Sequence, residues 1–234
     1  MKGISSMATR QLLADLTAAA VDTGLPSVEL ESVGGVDAAK RVADGEAFDL
    51  VFLGAGALAK LAADGHVDPE TVTPLVLSQV AIGVPSGTDE PATRPAGAAF
   101  ANVDGVREAL RGATRIGYST GPSGTALLRM IEEWGMTDEV GDRLVQARPG
   151  VPVARYLAEG EVDLGFQQLS ELVGNPGVRI LGVMPDDCAI DTVFSGAVAR
   201  TAAEPDAAAA VLRFMAGPDA DAIKDANSFA APAA

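Results

Sequence analysis

Two rhythms of apolar and polar positions alternate along the chain. Residues 28–33 change sides at every step, as a half-buried strand does, whereas Leu127, Leu128, Ile131 and Trp134 recur at helical spacing. In order, the pattern predicts a short strand at 2–4 and a helix over 7–23 with Ser6 as its N-cap. A strand at 28–33, a turn at Gly34 and Gly35, and a helix over 36–44 follow. "FDLVFLGAGALAKLAADG" repeats strand, glycine turn and helix. An apolar run at 75–84 stops at Pro85, and "GTDEPATRPAGAAFANVDG" reads as a polar loop. "RIGYSTGPSGTALLRMIEEWG" is strand, turn and helix, with Ser123 or Thr125 as the capping residue. Beyond it come "DRLVQARPG", a helix over 151–159, "VDLGFQQLSEL", "GVRILGVMP", a strand at 192–199, helices over 205–215 and 219–226, and an Ala-rich tail expected to fray.

Strands alternating with helices imply mostly parallel sheets covered on both faces, with ligands beyond the carboxyl ends of the strands. That rule gathers four strand-to-helix junctions: "GISSMAT", "VGGVDAA", "GYSTGPSGT" and "GFQQLSE". Each offers hydroxyls, amides or uncovered backbone N–H groups, and helix starts of this kind seat anions. None is a phosphate loop: no Lys follows the second glycine of "GPSGT", and no G-x-G-x-x-G occurs there.

Composition narrows the partner. With 17 basic against 32 acidic residues the net charge is −15, which disfavours nucleic acid and anionic membranes. A single cysteine, Cys188, forms no internal disulfide, and no Cys/His set has zinc spacing, so neither metal nor other cofactor is expected. The opening "MKGISSMATRQ" has no signal-like apolar stretch, and nowhere do about 18 apolar residues run together. Membrane insertion is not expected. The chain as written reads as cytoplasmic, or periplasmic or extracellular if a leader has been trimmed.

The order of the pieces is similar to a known family. "GISSMATRQLLADL", "SVGGVDAAKRVADGEAFDLVFLGAGALAKLAADGHVD", "LVLSQVAIGVPSG", "ATRIGYSTGPSGTALLRMIEEWGM", "LAEGEVDLGFQQLSEL" and "AAAAVLRFMAGPDADAIKDA" resemble the molybdate-binding proteins of ABC transporters, a branch of the type II periplasmic binding fold. The likeness covers nearly the whole chain apart from residues 86–105. It implies an α/β protein of two lobes, each a mostly parallel sheet flanked by helices, with a ligand cleft between them. Lobe I would be 1–80 with 193–234, lobe II 81–192, and the crossovers would lie near 79–85 and 191–195.

Carried over position by position, the family's first oxyanion-binding serine falls on Ser6, beside Ser5. Its second serine falls on Val36, after Gly35, and its tyrosine falls on Gln168. Two hydroxyl donors are therefore gone, and a desolvated tetrahedral oxyanion needs every donor. A planar carboxylate suits Gln167 or Gln168 together with Ser6, Ser119, Thr120, Ser123 and the backbone at Gly124, while Val36 faces its carbon skeleton. Some relatives of these receptors are aconitate isomerases, so the favoured reading is a binder of a small di- or tricarboxylate that isomerises it. The alternatives are an ABC-transporter receptor for molybdate or another anion, with a permease as partner, and a cytoplasmic anion sensor without turnover.

An isomerase of this kind moves a proton along an allylic system and needs a base. Tyr118, ending the strand before the hydroxyl-rich turn, is the catalytic candidate, against the plainer role of a packed strand aromatic. Asp37 reads first as a helix-start residue, Glu171 as a solvated helix residue, and His66 as a loop residue at the end far from the junctions. Arg10 or Lys40 would neutralise a second carboxylate unless held in a surface ion pair.

Overall fold

The computed structural model describes residues 1–148 and 150–232. The chain divides into two compact units, Met1–Leu77 with Thr192–Ala234, and Ser78–Asp191. Elements in chain order are β1 (Lys2–Ser6), α1 (Arg10–Asp22), β2 (Glu29–Val33), α2 (Gly35–Ala43), β3 (Leu50–Gly54), α3 (Ala55–Ala63), β4 (Thr73–Pro85) and α4 (Val103–Gly112). They continue as β5 (Ile116–Tyr118), α5 (Pro122–Glu133), α6 (Thr137–Val140), β6 (Leu144–Gln146), α7 (Val153–Ala158), β7 (Leu164–Gln168) and α8 (Leu169–Leu172). β8 (Val178–Val183), β9 (Asp191–Val198), α9 (Pro205–Ala216) and α10 (Asp221–Ala226) complete the chain. No helix among the described residues is long and apolar enough to cross a membrane.

In the first unit β1 lies between β2 and β3, parallel to both, and β9 runs antiparallel to β3. β3 is apolar on both faces because both are covered. Leu50 and Phe52 join Leu12, Leu13 and Leu16 of α1 and Val211, Leu212 and Met215 of α9. Val51 and Leu53 turn the other way, to Ile4, Ala38 and Val42 of α2, and Leu58 and Leu61 of α3. Each such side chain removed from water contributes roughly 1.5–3 kcal/mol.

In the second unit β5 lies between β6 and β7, parallel to both, while β4 runs antiparallel to β7 and β8. The same alternation divides two cores: Ile82, Phe166 and Ile116 pack with α4 and α5, and Ala81 packs with α7 and α8. The sheets are thus mixed: β9 is the reversed strand in the first unit and β4 in the second, where β8, antiparallel to β4, runs in the direction of β5, β6 and β7.

Several local expectations change. Ser6 precedes a short 3₁₀ turn, Met7–Thr9, and its side chain caps nothing. Gly35 opens α2 instead of turning the chain, and Gly121 rather than Ser123 or Thr125 is the N-cap of α5. The polar stretch ends at Asn102, whose side chain accepts from the amides of Asp104 and Gly105 and starts α4. The tail is fastened at Ala230, which exchanges backbone hydrogen bonds of 2.8 and 2.9 Å with Leu77. Residues 233–234 and Pro149 of "DRLVQARPG" lie outside the described residues.

Candidate functional site

In the first unit, strand alternation puts Ser6 on the face of Ile4, toward α2. Ser6 is 7% exposed, and its hydroxyl has no hydrogen-bond partner. A Cβ built on Gly35 would stand 3.7 Å from Ser6 Cβ, so the first turn of α2 backs directly onto this serine. That turn has no side-chain cap, and the first amide turned inward is Ala38, which donates to the Gly34 carbonyl at 2.8 Å. A buried, unpaired hydroxyl beside uncovered helix-start amides is a costly arrangement unless an anion completes it.

Neighbouring residues are placed differently. Ser5 points away from Ser6, and its Oγ is 2.8 Å from Ser32 Oγ across the β1–β2 pair. Val36 is 85% exposed and so offers an apolar surface at the start of α2. Arg10 is exposed on the first residue of α1 and makes no ion pair among the described residues. Lys40 is committed to Asp44. His66 follows α3 and bonds to Arg200 next to the Asp49–Ala199 contact, at the amino end of β3, the opposite end of that strand from Gly54.

In the second unit the carboxyl ends of β5 and β7 carry the polar groups. Ser119 Oγ is 2.9 Å from Ser123 Oγ, Thr120 is exposed, and Ser123 is buried in the first turn of α5. Gly124 is required there: a Cβ on it would lie 1.9 Å from the Ser119 carbonyl oxygen. Tyr118 is half-buried, with its ring against the α4–α5 core and beside Gly124. Gln168 Oε1 accepts from Ser78 Oγ at 2.7 Å. Ser78 is a polar residue in the middle of the apolar run at 75–84, and that position is the sequence signal for its role.

Gln167 faces the other way from Gln168, as consecutive strand residues must. Its Oε1 accepts from the Ala154 amide at 3.1 Å, and its Nε2 donates to Glu171 at 2.9 Å. It is engaged within the unit as a tie between β7, α7 and α8. Burial pushes the Glu171 carboxyl above its ordinary value of 4.5, with the Gln167 amide opposing the shift. The folded state therefore binds this proton more tightly than the unfolded chain. Its stabilising contribution is complete below pH 4.5 and disappears as pH rises through the raised folded value. Glu171→Gln keeps an acceptor for Gln167 and should flatten the pH dependence of Tm above pH 4.5, with a higher Tm than the parent at pH 8, as read by thermal melts across pH.

Among the described residues no group of three or more His, Cys, Asp or Glu is arranged to hold a metal. The chemistry present is that of hydroxyls, an amide, uncovered backbone N–H groups and a few charges. It suits binding of an anion and proton transfer.

The family model for bacterial extracellular solute-binding proteins matches residues 3–230. An aconitate isomerase from Pseudomonas sp is 34% identical over 194 residues, which cover 82% of this chain and 71% of that protein. The substrate-binding domain of a putative molybdenum ABC transporter from Clostridium difficile superposes with a TM-score of 0.78 at 14% identity, covering 100% of this chain and 99% of that one. The periplasmic molybdate-binding protein of Azotobacter vinelandii gives 0.75 at 20% identity, with 100% of both chains covered. At such identities the two structures carry the fold alone. The cytoplasmic expectation finds no support in a family described as extracellular. By the extent of the family match and by its likeness to a curated relative, the chain belongs to the bacterial extracellular solute-binding protein family.

Proposed function

We propose that the protein binds a small unsaturated polycarboxylate and interconverts its cis and trans forms, as the name of its aconitate isomerase relative describes for that protein. The observation that carries this reading is the buried, unpartnered Ser6 hydroxyl at the uncapped start of α2, beside the exposed side chain of Val36. Hydroxyl and amides meet a carboxylate, and Val36 meets carbon. The reading further takes Arg10, at the start of α1 in the same unit, to meet a second carboxylate.

A receptor for molybdate or a similar oxyanion is the second reading, favoured by the folds of the structural neighbours. Against it, Val36 and Gln168 stand where the resembling receptors carry hydroxyl donors, and an oxyanion stripped of water is left short of partners. A thermal-shift screen separates the two, because a ligand specific to the folded state raises Tm by mass action. Stabilisation by cis- or trans-aconitate, with none by molybdate, tungstate or sulfate, is the expected result. Stabilisation by molybdate alone would establish the receptor reading instead.

A further inference from the structure

An allylic proton shift needs a base, and one carboxylate stands at the start of α2. Asp37 occupies the first turn of that helix. Its side chain folds back across Gly34: a Cβ built on Gly34 would lie 3.2 Å from Asp37 Oδ2 and 3.9 Å from Asp37 Cγ. A side chain at residue 34 would press on the carboxylate, which would have to give by a few tenths of an ångström. An acidic residue so placed ordinarily closes the helix by accepting the amide at its N-cap. Here the start of α2 has no side-chain cap, and Asp37 accepts no hydrogen bond among the described residues. Lys40 is close enough to feel its charge but spends its ammonium on Asp44.

The residue before Gly35 therefore lies under an unengaged carboxylate, while Gly35 itself backs onto the unpartnered Ser6 hydroxyl. Val36, 85% exposed, follows Gly35 and precedes Asp37. A carboxylate at an anion-holding helix start weakens binding by like-charge repulsion, which serves a pure receptor poorly.

We propose that Asp37 is the general base of the allylic proton shift, an assignment that rests on the isomerase reading above. One substrate carboxylate sits on Ser6 Oγ and the uncovered amides of α2, and the carbon skeleton lies against Val36. The Asp37 carboxylate takes a proton from the methylene carbon. The C–H electron pair becomes the new C=C bond, and the former π pair takes a proton at the other end of the allylic system. Protonated Asp37 supplies that proton and returns to the carboxylate. One proton leaves and one is restored, and nothing is oxidised or reduced.

The test compares the full chain with its Asp37→Asn and Asp37→Glu variants on cis-aconitate in D2O. Proton NMR reads both conversion to the trans isomer and deuterium uptake at carbon, and a thermal melt reads binding. Asp37→Asn should lower conversion and deuterium uptake by roughly 10²- to 10⁴-fold, the usual share of a general base. It should retain or enlarge the Tm shift given by cis-aconitate. Asp37→Glu should restore part of the turnover, which a residue serving only the helix dipole would not require. Conversion by Asp37→Asn within threefold of the parent would overturn the assignment while leaving the isomerase reading intact. Equal loss of binding and turnover would make Asp37 a binding group and also overturn it. A parent chain that binds cis-aconitate without converting it would overturn both.

Discussion

Replacing Gly124 by alanine is expected to cost the chain about 3 kcal/mol or more, at or beyond the upper end of ordinary overpacking. The added methyl would lie 1.9 Å from the Ser119 carbonyl oxygen, 2.9 Å from its carbon and 3.1 Å from Tyr118 Cδ2. The first two atoms are backbone, so no rotamer change relieves the contact. Either the 119–121 turn moves away or the first turn of α5 does, and both break the Ser119–Ser123 hydroxyl pair. Gly56→Ala is the matched comparison. Nothing lies within 4 Å of a Cβ at Gly56 in α3, and the change should stabilise by about 0.5 kcal/mol through helix propensity. Urea denaturation of the two variants reads the difference directly. A Gly124→Ala chain as stable as its parent would mean that the turn does not pack as described.

Ser6→Ala should act in the opposite manner, sparing the fold and removing the ligand. The hydroxyl is buried without a partner, so its loss leaves nothing unsatisfied, and the ligand-free chain should melt at the parental temperature or slightly above it. A hydrogen bond to a charged group is worth about 1.5–3 kcal/mol, so affinity for the anion should fall roughly 10- to 100-fold. Isothermal titration with cis-aconitate checks it. Unchanged affinity in Ser6→Ala would remove the Ser6–α2 corner from the site.

The broad layout was legible because strong periodicity and burial agree. The four-residue apolar run of β3 and the leucines of α1 at 12, 13 and 16 each feed a covered face, so their residues advertise their elements. α4 was not legible: it is anchored by only Val106 and Leu110, contains Gly105, and its start signal is the single Asn102 cap at the end of a polar stretch. The two glycines at 34 and 35 read as a turn by composition. In the fold they are the cap and first residue of a helix.

For the site, strand alternation alone separates Gln167 from Gln168, a signal present in the sequence though both residues were expected to offer an amide. The lack of a partner for Ser6 and the lie of the Asp37 carboxylate across Gly34 are tertiary facts that no spacing encodes.

Proton NMR of cis-aconitate incubated with the purified chain tests the central claim most directly. The account predicts that vinyl and methylene signals of the trans isomer grow in until the two isomers reach a constant ratio, at a rate proportional to protein concentration. A spectrum that stays that of the cis isomer, from a chain whose Tm neither isomer raises, would contradict it.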